Sequence, residues 1–214
     1  YTLVGGGSDN DRFSISGTNL VTAAELDFET KNSYSVVIQT SDGSATYSKT
    51  FSVAVNNAND TPTDIALSAN AVDENLASGT VVGGLSTTDA DSGNTFTYTL
   101  VGGGSDNDRF SISGTNLVTA AELDFETKNS YSVVIQTSDG SATYSKTFTI
   151  AVNNANDTPT DITLSANAVD ENLASGTVVG GLSTTDADNG NTFTYTLVGG
   201  GSDNDRFSIS GTNL

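Results

Sequence analysis

The sequence contains no cysteine, histidine, methionine or tryptophan. Without cysteine there is no disulfide framework, and without cysteine or histidine the ordinary ligands of zinc, copper and haem are missing. The commonest general base and the thiol nucleophile are missing as well, which argues against an enzyme.

Positive charge is also scarce, with 7 lysines and arginines against 26 aspartates and glutamates and a net charge of −19. This balance excludes a nucleic-acid backbone as a partner and disfavours anionic membrane surfaces. No apolar run approaches the ~18 residues of a membrane span, so we expect no membrane contact within this segment. The missing signal peptide is uninformative, because the chain starts in the middle of a repeat.

What the sequence does have is a repeat of 97 residues. Residues 1–117 and 98–214 differ at only four pairs of positions, namely Ser52/Thr149, Val53/Ile150, Ala66/Thr163 and Ser92/Asn189. A catalytic site needs one cleft rather than near-identical copies of it. Arrays usually provide length, stiffness or multivalent contact, so the repeat favours a structural or binding role.

The two prolines mark equivalent junctions between repeats. Each junction reads Asn-Asn-Ala-Asn-Asp-Thr-Pro and ends at Pro62 or Pro159. Such a stretch cannot continue a central strand and is read as a short linker. We therefore expect one complete unit over residues 61–157, the back part of a unit over 1–60 and the front part of another over 158–214.

Alternating apolar and polar residues predict antiparallel sheets with one wet face. The expected strands of the complete unit are Asp64–Val72, Thr80–Leu85, Thr95–Val101, Arg109–Ser113, Asn116–Thr119, Ser130–Thr137 and Thr143–Val152. Seven short strands in 97 residues predict an all-β fold, a tandem array of Greek-key β-sandwiches of the immunoglobulin type. Two partial units from different copies could complement each other, but together they duplicate two strands, so a window on a longer chain is preferred.

Following seven strands up and down the sandwich places the acidic residues at its two ends. At the second junction, Glu74, Asp124, Glu126 and Asp157 of the upper unit should meet Asp186 and Asp188 of the lower unit. Two bare carboxylates 4 Å apart repel by roughly 4 kcal/mol at an effective dielectric constant of 20, so this set requires cations. Calcium fits best, because it accepts 6–8 oxygen ligands in irregular geometry.

Other interpretations of these motifs remain weaker. The acidic residues could lie in loops that are simply solvated. For Asp106 and Asp108, this explanation is as good as a metal site. The segment that starts at Asp89 begins like an EF-hand loop but has Asn94 and Leu100 at the required Gly and Glu positions. Two glycosylation sequons lie in the linkers, and paired carboxylates could in principle hydrolyse glycosides.

Five motifs in order resemble the cadherin repeat, specifically the cadherin-like repeats of large bacterial surface proteins. They are Asp73-Glu74-Asn75, Asp89-Ala90-Asp91-Ser92-Gly93, Leu123-Asp124-Phe125-Glu126, the Asp139-Gly140 turn, and the linker Asn154-Ala155-Asn156-Asp157. The match covers every full and partial unit. Asn57 and Asn154 depart from the family pattern, which usually has Asp at those positions.

The resemblance implies calcium between successive repeats and a specific set of ligands. At the first junction it implies Asp27, Glu29, Asn59, Asp60, Asp89, Asp91 and Asp139, and at the second it adds Asn156 to the acids named above. Asp42 and Glu171, the copies of Asp139 and Glu74 in the flanking units, are assigned the same role. The missing tryptophan removes the tryptophan-exchange adhesion of animal cadherins.

The sequence therefore predicts an extracellular, cell-surface array from a bacterium, an adhesin stalk or fibre that calcium makes rigid. Its expected partners are calcium ions, neighbouring repeats and like chains in a fibre. The alternative is an adhesion module that itself binds carbohydrate or like repeats on neighbouring cells. An enzyme would need one unit to differ from the rest, and the four substitutions lie outside the acidic residues.

Overall fold

The computed structural model describes residues 1–214, and its regular structure is almost entirely β. The strands are β1 (Thr2–Leu3), β2 (Phe13–Ser16), β3 (Asn19–Thr22), β4 (Ser33–Ser41), β5 (Thr46–Ala54), β6 (Asp64–Leu67), β7 (Ala71–Asp73), β8 (Val81–Thr88), β9 (Thr97–Leu100), β10 (Phe110–Ser113), β11 (Asn116–Thr119), β12 (Ser130–Ser138), β13 (Thr143–Asn153), β14 (Asp161–Leu164) and β15 (Leu182–Thr185). Three short 3₁₀ turns, Asn10–Arg12, Asn107–Arg109 and Asn204–Arg206, are its only helical segments. None of its helices has the length and apolar character of a membrane span.

The middle unit is a sandwich of two four-stranded sheets. One sheet has the order β10-β11-β8-β6 and the other has the order β7-β13-β12-β9. The prediction of an all-β sandwich is thereby confirmed. The expected first strand, Asp64–Val72, is instead two strands in different sheets, since β6 pairs antiparallel with β8 while β7 pairs parallel with β13. The expectation of purely antiparallel sheets was therefore wrong for this pair.

The crossing between the sheets depends on a close backbone approach at Gly83. A Cβ atom on Gly83 would lie 2.5 Å from the carbonyl oxygen of Ala69 and 2.8 Å from its backbone nitrogen. Only glycine allows the chain after β6 to pass so close to β8. The period-two pattern alone does not reveal that the chain changes sheets here, because the alternation of apolar residues continues across the crossing.

The core lies between the two sheets of the middle unit and follows the period-two pattern. On β12, Tyr131, Val133, Ile135 and Thr137 are buried, while Ser130, Ser132 and Gln136 between them are exposed or half-buried. The core contains 13 buried residues, and complete burial of each large apolar side chain stabilises the fold by about 1.5–3 kcal/mol.

The flanking units repeat parts of this arrangement. Residues 1–60 form the sheet β1-β4-β5 and the hairpin β2-β3, with only three buried core residues, Phe13, Tyr34 and Val36. Residues 158–214 form the pair β14-β15. Tyr47 and Phe51 of the first unit are exposed, whereas their half-buried copies Tyr144 and Phe148 pack against the middle core.

Candidate metal centre

At the second junction, four loop segments bring acidic side chains together. Glu74 directly follows β7, Asp124 and Glu126 lie between β11 and β12, Asp157 lies in the linker after β13, and Asp188 follows β15 of the next unit. Carboxylate oxygens of Glu74, Asp124 and Glu126 lie within 4.8 Å of one another, and so do those of Glu126, Asp157 and Asp188. Glu126 therefore belongs to both clusters and connects the two units.

Glu74 is the buried anchor of this junction, with 1% of its surface exposed. One carboxylate oxygen accepts a hydrogen bond from the backbone N–H of Phe125 at 2.6 Å, and the other accepts from the N–H of Ala155 at 2.8 Å. The side chain thus joins the turn that carries Asp124 and Glu126 to the linker. A buried carboxylate with two backbone donors is held in one orientation before any ligand binds.

The Glu126 carboxylate is repelled by carboxylates of both clusters. Loss of hydration and repulsion from Glu74, Asp157 and Asp188 raise its pKa. The side-chain amide of Asn154 donates a hydrogen bond to it at 2.8 Å. A cation between these groups would remove the repulsion that raises the pKa.

The lower unit contributes a loop with an unpaired buried oxygen. The backbone N–H of Asp188 donates to Asp186 at 2.9 Å, and one carboxylate oxygen of Asp188 accepts from the N–H of Asp157 at 2.7 Å. The other oxygen of Asp186 is buried and has no hydrogen-bond partner, and the same holds for Asp89 in the preceding unit. A buried carboxylate oxygen without a donor is costly unless a cation accompanies it.

The first junction repeats this arrangement with fewer acids. Carboxylate oxygens of Glu29, Asp60 and Asp91 lie within 4.8 Å of one another. The N–H of Asp60 donates to Asp91 at 2.7 Å, and the N–H of Asp91 donates to Asp89 at 2.9 Å. Burial of the carboxyl group, with repulsion from Asp60, Asp91 and Asp27, raises the pKa of Glu29. The first junction thus has one such cluster, where the second junction has two.

Asp27 and Asp124 each close the turn on which a cluster glutamate lies. Thr30 donates to Asp27 from its backbone N–H at 3.0 Å and from its hydroxyl at 2.8 Å, and Thr127 does the same for Asp124 at 2.9 and 2.7 Å. These hydrogen bonds, with the hydroxyl contributing most, lower the pKa of both aspartates. Asp124 joins a cluster, whereas Asp27 is not part of the cluster at the first junction.

Asn59 and Asp139 contact each other across the first junction. The amide of Asn59 donates to a carboxylate oxygen of Asp139 at 3.0 Å, and the other oxygen of Asp139 accepts from the N–H groups of Ser141 and Ala142. These donors, with Ala142 the largest, lower the pKa of Asp139. In the second junction, the amide of Asn156 bonds to the carbonyl oxygen of Asp157 and shows no such cross-unit partner.

Asp42 and Glu171, which the resemblance also implies as ligands, belong to none of the three acidic clusters. Asp42 closes its own turn by accepting hydrogen bonds from the N–H groups of Ser44 and Ala45, which lower its pKa. Glu171 is exposed. Their assignment as calcium ligands stays a prediction.

Asn75 has a structural role that the sequence did not predict. This residue adopts a left-handed conformation with φ of 61°, and its amide donates to Asp157 at 2.8 Å. Asparagine tolerates this conformation better than most residues. The Glu-Asn pair was visible in the sequence, but only the conformation shows that the Asn orients an acid of the linker.

Asp106 has a different role, which the sequence left open. It accepts hydrogen bonds from the ammonium group of Lys128, the hydroxyl of Ser105 at 2.8 Å and the N–H of Ser132 at 2.7 Å. It therefore anchors a loop to β12. The six ion pairs of the chain involve Asp9, Asp11, Asp64, Asp106, Asp108 and Asp205, so none of them neutralises an acid of the metal clusters.

The arrangement fits a hard divalent cation. Each cluster offers only oxygen ligands from carboxylates on separate loops, which suits calcium better than the near-ideal octahedron of magnesium. Neighbouring Asn side chains and linker carbonyl groups could supply further oxygens. The unpaired oxygens of Asp89 and Asp186 lie in the same loops as the cluster acids Asp91 and Asp188.

Comparison with known proteins supports this interpretation of the fold. Residues 69–153 match the model of the Cadherin domain family. Human Protocadherin Fat 4 is 30% identical over 171 residues, which cover 74% of this chain, and its mouse counterpart is 27% identical over 172 residues. The chain spans only 3% of the length of these relatives.

Solved structures give the same result. A protocadherin gammaB7 structure containing repeats EC3-6 is 28% identical with a TM-score of 0.59, and the match covers 87% of this chain and 48% of that one. Mouse protocadherin-24 EC1-3 has a TM-score of 0.62 over 87% of this chain and 66% of that one, with 20% identity, and supports the fold alone. The sequence relatives are human and mouse proteins, so the comparisons do not support the expected bacterial origin. The cadherin-like character predicted from the sequence is confirmed, and residues 69–153 are similar to the Cadherin domain.

Proposed function

We propose that this chain is part of an extracellular array of cadherin-like repeats in which calcium bound at each junction makes the connection between repeats rigid. The division into units at residues 60/61 and 157/158 belongs to the same proposal. The observation that carries it is the shared cluster of Glu126, Asp157 and Asp188, whose carboxylate oxygens come from two consecutive units and lie within 4.8 Å of one another.

Charge balance at the junction explains this role. Without a cation, carboxylates from two units repel each other and favour separation or bending at the linker. A bound divalent ion turns the same groups into a bridge between the units. Calcium-binding extracellular modules have dissociation constants of ~10⁻⁴–10⁻³ M, so such sites would fill outside a cell. Calcium binding is typical of cadherins, which agrees with the set of ligands proposed here.

The proposed role is structural rather than enzymatic. The acids lie at junctions and recur with the repeat, as expected for elements that set the geometry of an array. A second candidate is adhesion through the repeats themselves, by contact with like chains. It is favoured by the relative whose structure is described as a cis-dimer. In the middle unit, carbohydrate binding gains no support from Tyr131, which is buried, or from Tyr144, which packs against the core.

Small-angle X-ray scattering with and without a chelator tests the proposal. We expect a long maximum dimension in calcium and a clear decrease, with signs of flexibility, after chelation. Glu126→Gln should reduce the effect of calcium, because it removes the residue common to both clusters. Asp108→Asn is the matched control, since Asp108 is exposed and pairs only weakly with Arg109 at 4.0 Å. Identical profiles with and without calcium would contradict the proposal.

A further inference from the structure

The two junctions differ at one residue of the acidic loop. The first junction has Ser92 followed by Gly93, and the second has Asn189 followed by Gly190. Asn189 is the only asparagine in the chain that precedes a glycine. Asparagine is a thermolabile residue, and a following glycine leaves its side chain open to attack by the backbone because glycine has no Cβ atom.

The structure leaves the reacting groups free. Asn189 is exposed and its side chain makes no hydrogen bond, and the N–H of Gly190 is likewise without a partner. Gly190 has φ of 90°, a conformation favourable only to glycine, and no atom lies within 4 Å of the place that a Cβ would occupy. The neighbouring aspartate, by contrast, is fixed at both ends, because Asp188 donates to Asp186 and accepts from Asp157.

We propose that Asn189 is a site of spontaneous deamidation that adds a carboxylate beside Asp188 at the second junction, while the first junction has no such site. Hydroxide removes the proton from the Gly190 nitrogen, which attacks the side-chain carbonyl carbon of Asn189. The new N–C bond forms as the bond to the amide nitrogen breaks, and ammonia leaves with a proton from water. Water then opens the succinimide ring to give aspartate or isoaspartate.

Either product changes the loop that reaches across the junction. Aspartate adds one negative charge next to the cluster of Glu126, Asp157 and Asp188. Isoaspartate adds the charge and also a backbone carbon, which lengthens the loop between Asp188 and Asn191. The consequence for calcium rests on the proposed function, whereas the chemical conversion itself does not. The second junction would therefore alter with age and the first would not.

The test uses the full chain incubated with chelator in mildly alkaline buffer and then mapped by peptide mass spectrometry. We expect conversion of amide to acid confined to Asn189, with isoaspartate among the products. Asn189→Ser, which copies the first junction, should abolish the conversion, and Ser92→Asn should create a second site. Absence of conversion at Asn189, or equal conversion at Asn191, would overturn the proposal, as would a Ser92→Asn chain that stays unchanged at that position.

A calcium titration of Asn189→Asp separates this proposal from the proposed function. If the second junction binds calcium, this variant should bind it several-fold more tightly than the unmodified chain, because the added negative charge beside Asp188 attracts the cation. Conversion at Asn189 together with no calcium binding by either chain would contradict the calcium role and leave the modification site standing.

Discussion

Replacing Glu74 by Gln should separate its structural role from its role in binding calcium. Glu74 accepts hydrogen bonds from the N–H groups of Phe125 and Ala155 at 2.6 and 2.8 Å, and 1% of its surface is exposed. Gln has a single side-chain acceptor oxygen, so one of these donors loses its partner. That loss should cost about 1–3 kcal/mol in the free energy of unfolding, and removal of one charge from the cluster offsets part of it.

Calcium should reveal a second, separate effect of the same substitution. A ligand present at 100 times its dissociation constant stabilises the folded chain by about 2.7 kcal/mol, and each tenfold loss of affinity removes about 1.4 kcal/mol of that gain. Loss of the buried acid of the cluster should weaken binding by at least about tenfold, since even changes in the second shell of a metal site cost 10–100-fold. Glu74→Gln should therefore lose at least about half of the stabilisation that calcium gives at the second junction.

The assay is urea denaturation in chelator and in calcium, with the difference in unfolding free energy as the result. Asp108→Asn is the control, because Asp108 belongs to none of the acidic clusters and pairs only with Arg109 at 4.0 Å. It should change the calcium-dependent difference little. Equal stabilisation by calcium in the wild type and Glu74→Gln would refute the assignment of Glu74 as a ligand.

Three further predictions concern positioning, packing and pH. Asn75→Gly should keep the left-handed backbone but weaken calcium binding, because the amide donor to Asp157 is lost. Asn75→Ala should also lower the free energy of unfolding by about 1–2 kcal/mol, measured by thermal unfolding, because alanine disfavours the left-handed conformation. Ile135→Ala, in the fully buried core, should destabilise the middle unit by about 2–5 kcal/mol in urea, and the same change at Ile38, its half-buried copy, should cost less. The pKa of Asp106 is lowered, chiefly by the hydrogen bond from the ammonium group of its lysine partner. The ionised carboxylate therefore stabilises the fold above the unfolded pKa, and this stabilisation is lost as the pH falls through the folded pKa. Asp106→Asn should reduce the loss of unfolding free energy at acid pH, measured by urea denaturation at a series of pH values.

The fold could be predicted from the sequence where the period-two pattern coincided with a single strand. The residues of β12 and β13 alternate along their whole length, and these strands were placed within two residues of their observed ends. The pattern failed at Asp64–Val72, because a strand that changes sheets keeps its alternation while its hydrogen-bond partners change. The close approach at Gly83 that permits this crossing depends on the neighbouring strand and is invisible in local sequence.

The candidate site could be predicted as a set of acids but not as a network. The repeat register and the strand directions brought Glu126 and Asp188 to the same junction, because each residue follows or precedes a strand of known direction. The left-handed conformation of Asn75 and the capping of Asp124 by Thr127 depend on local backbone geometry that composition does not encode. The different role of Asp106 depends on a lysine 22 residues away in the chain.

The central claim is that acidic side chains of consecutive repeats share bound calcium. The most direct measurement is a crystal structure of the chain grown in calcium, with anomalous scattering to identify the ion. We expect density for calcium between Glu126, Asp157 and Asp188, and a second site among Glu29, Asp60 and Asp91. Ordered water at these places, with the carboxylates turned toward bulk solvent in a calcium-rich crystal, would contradict the account.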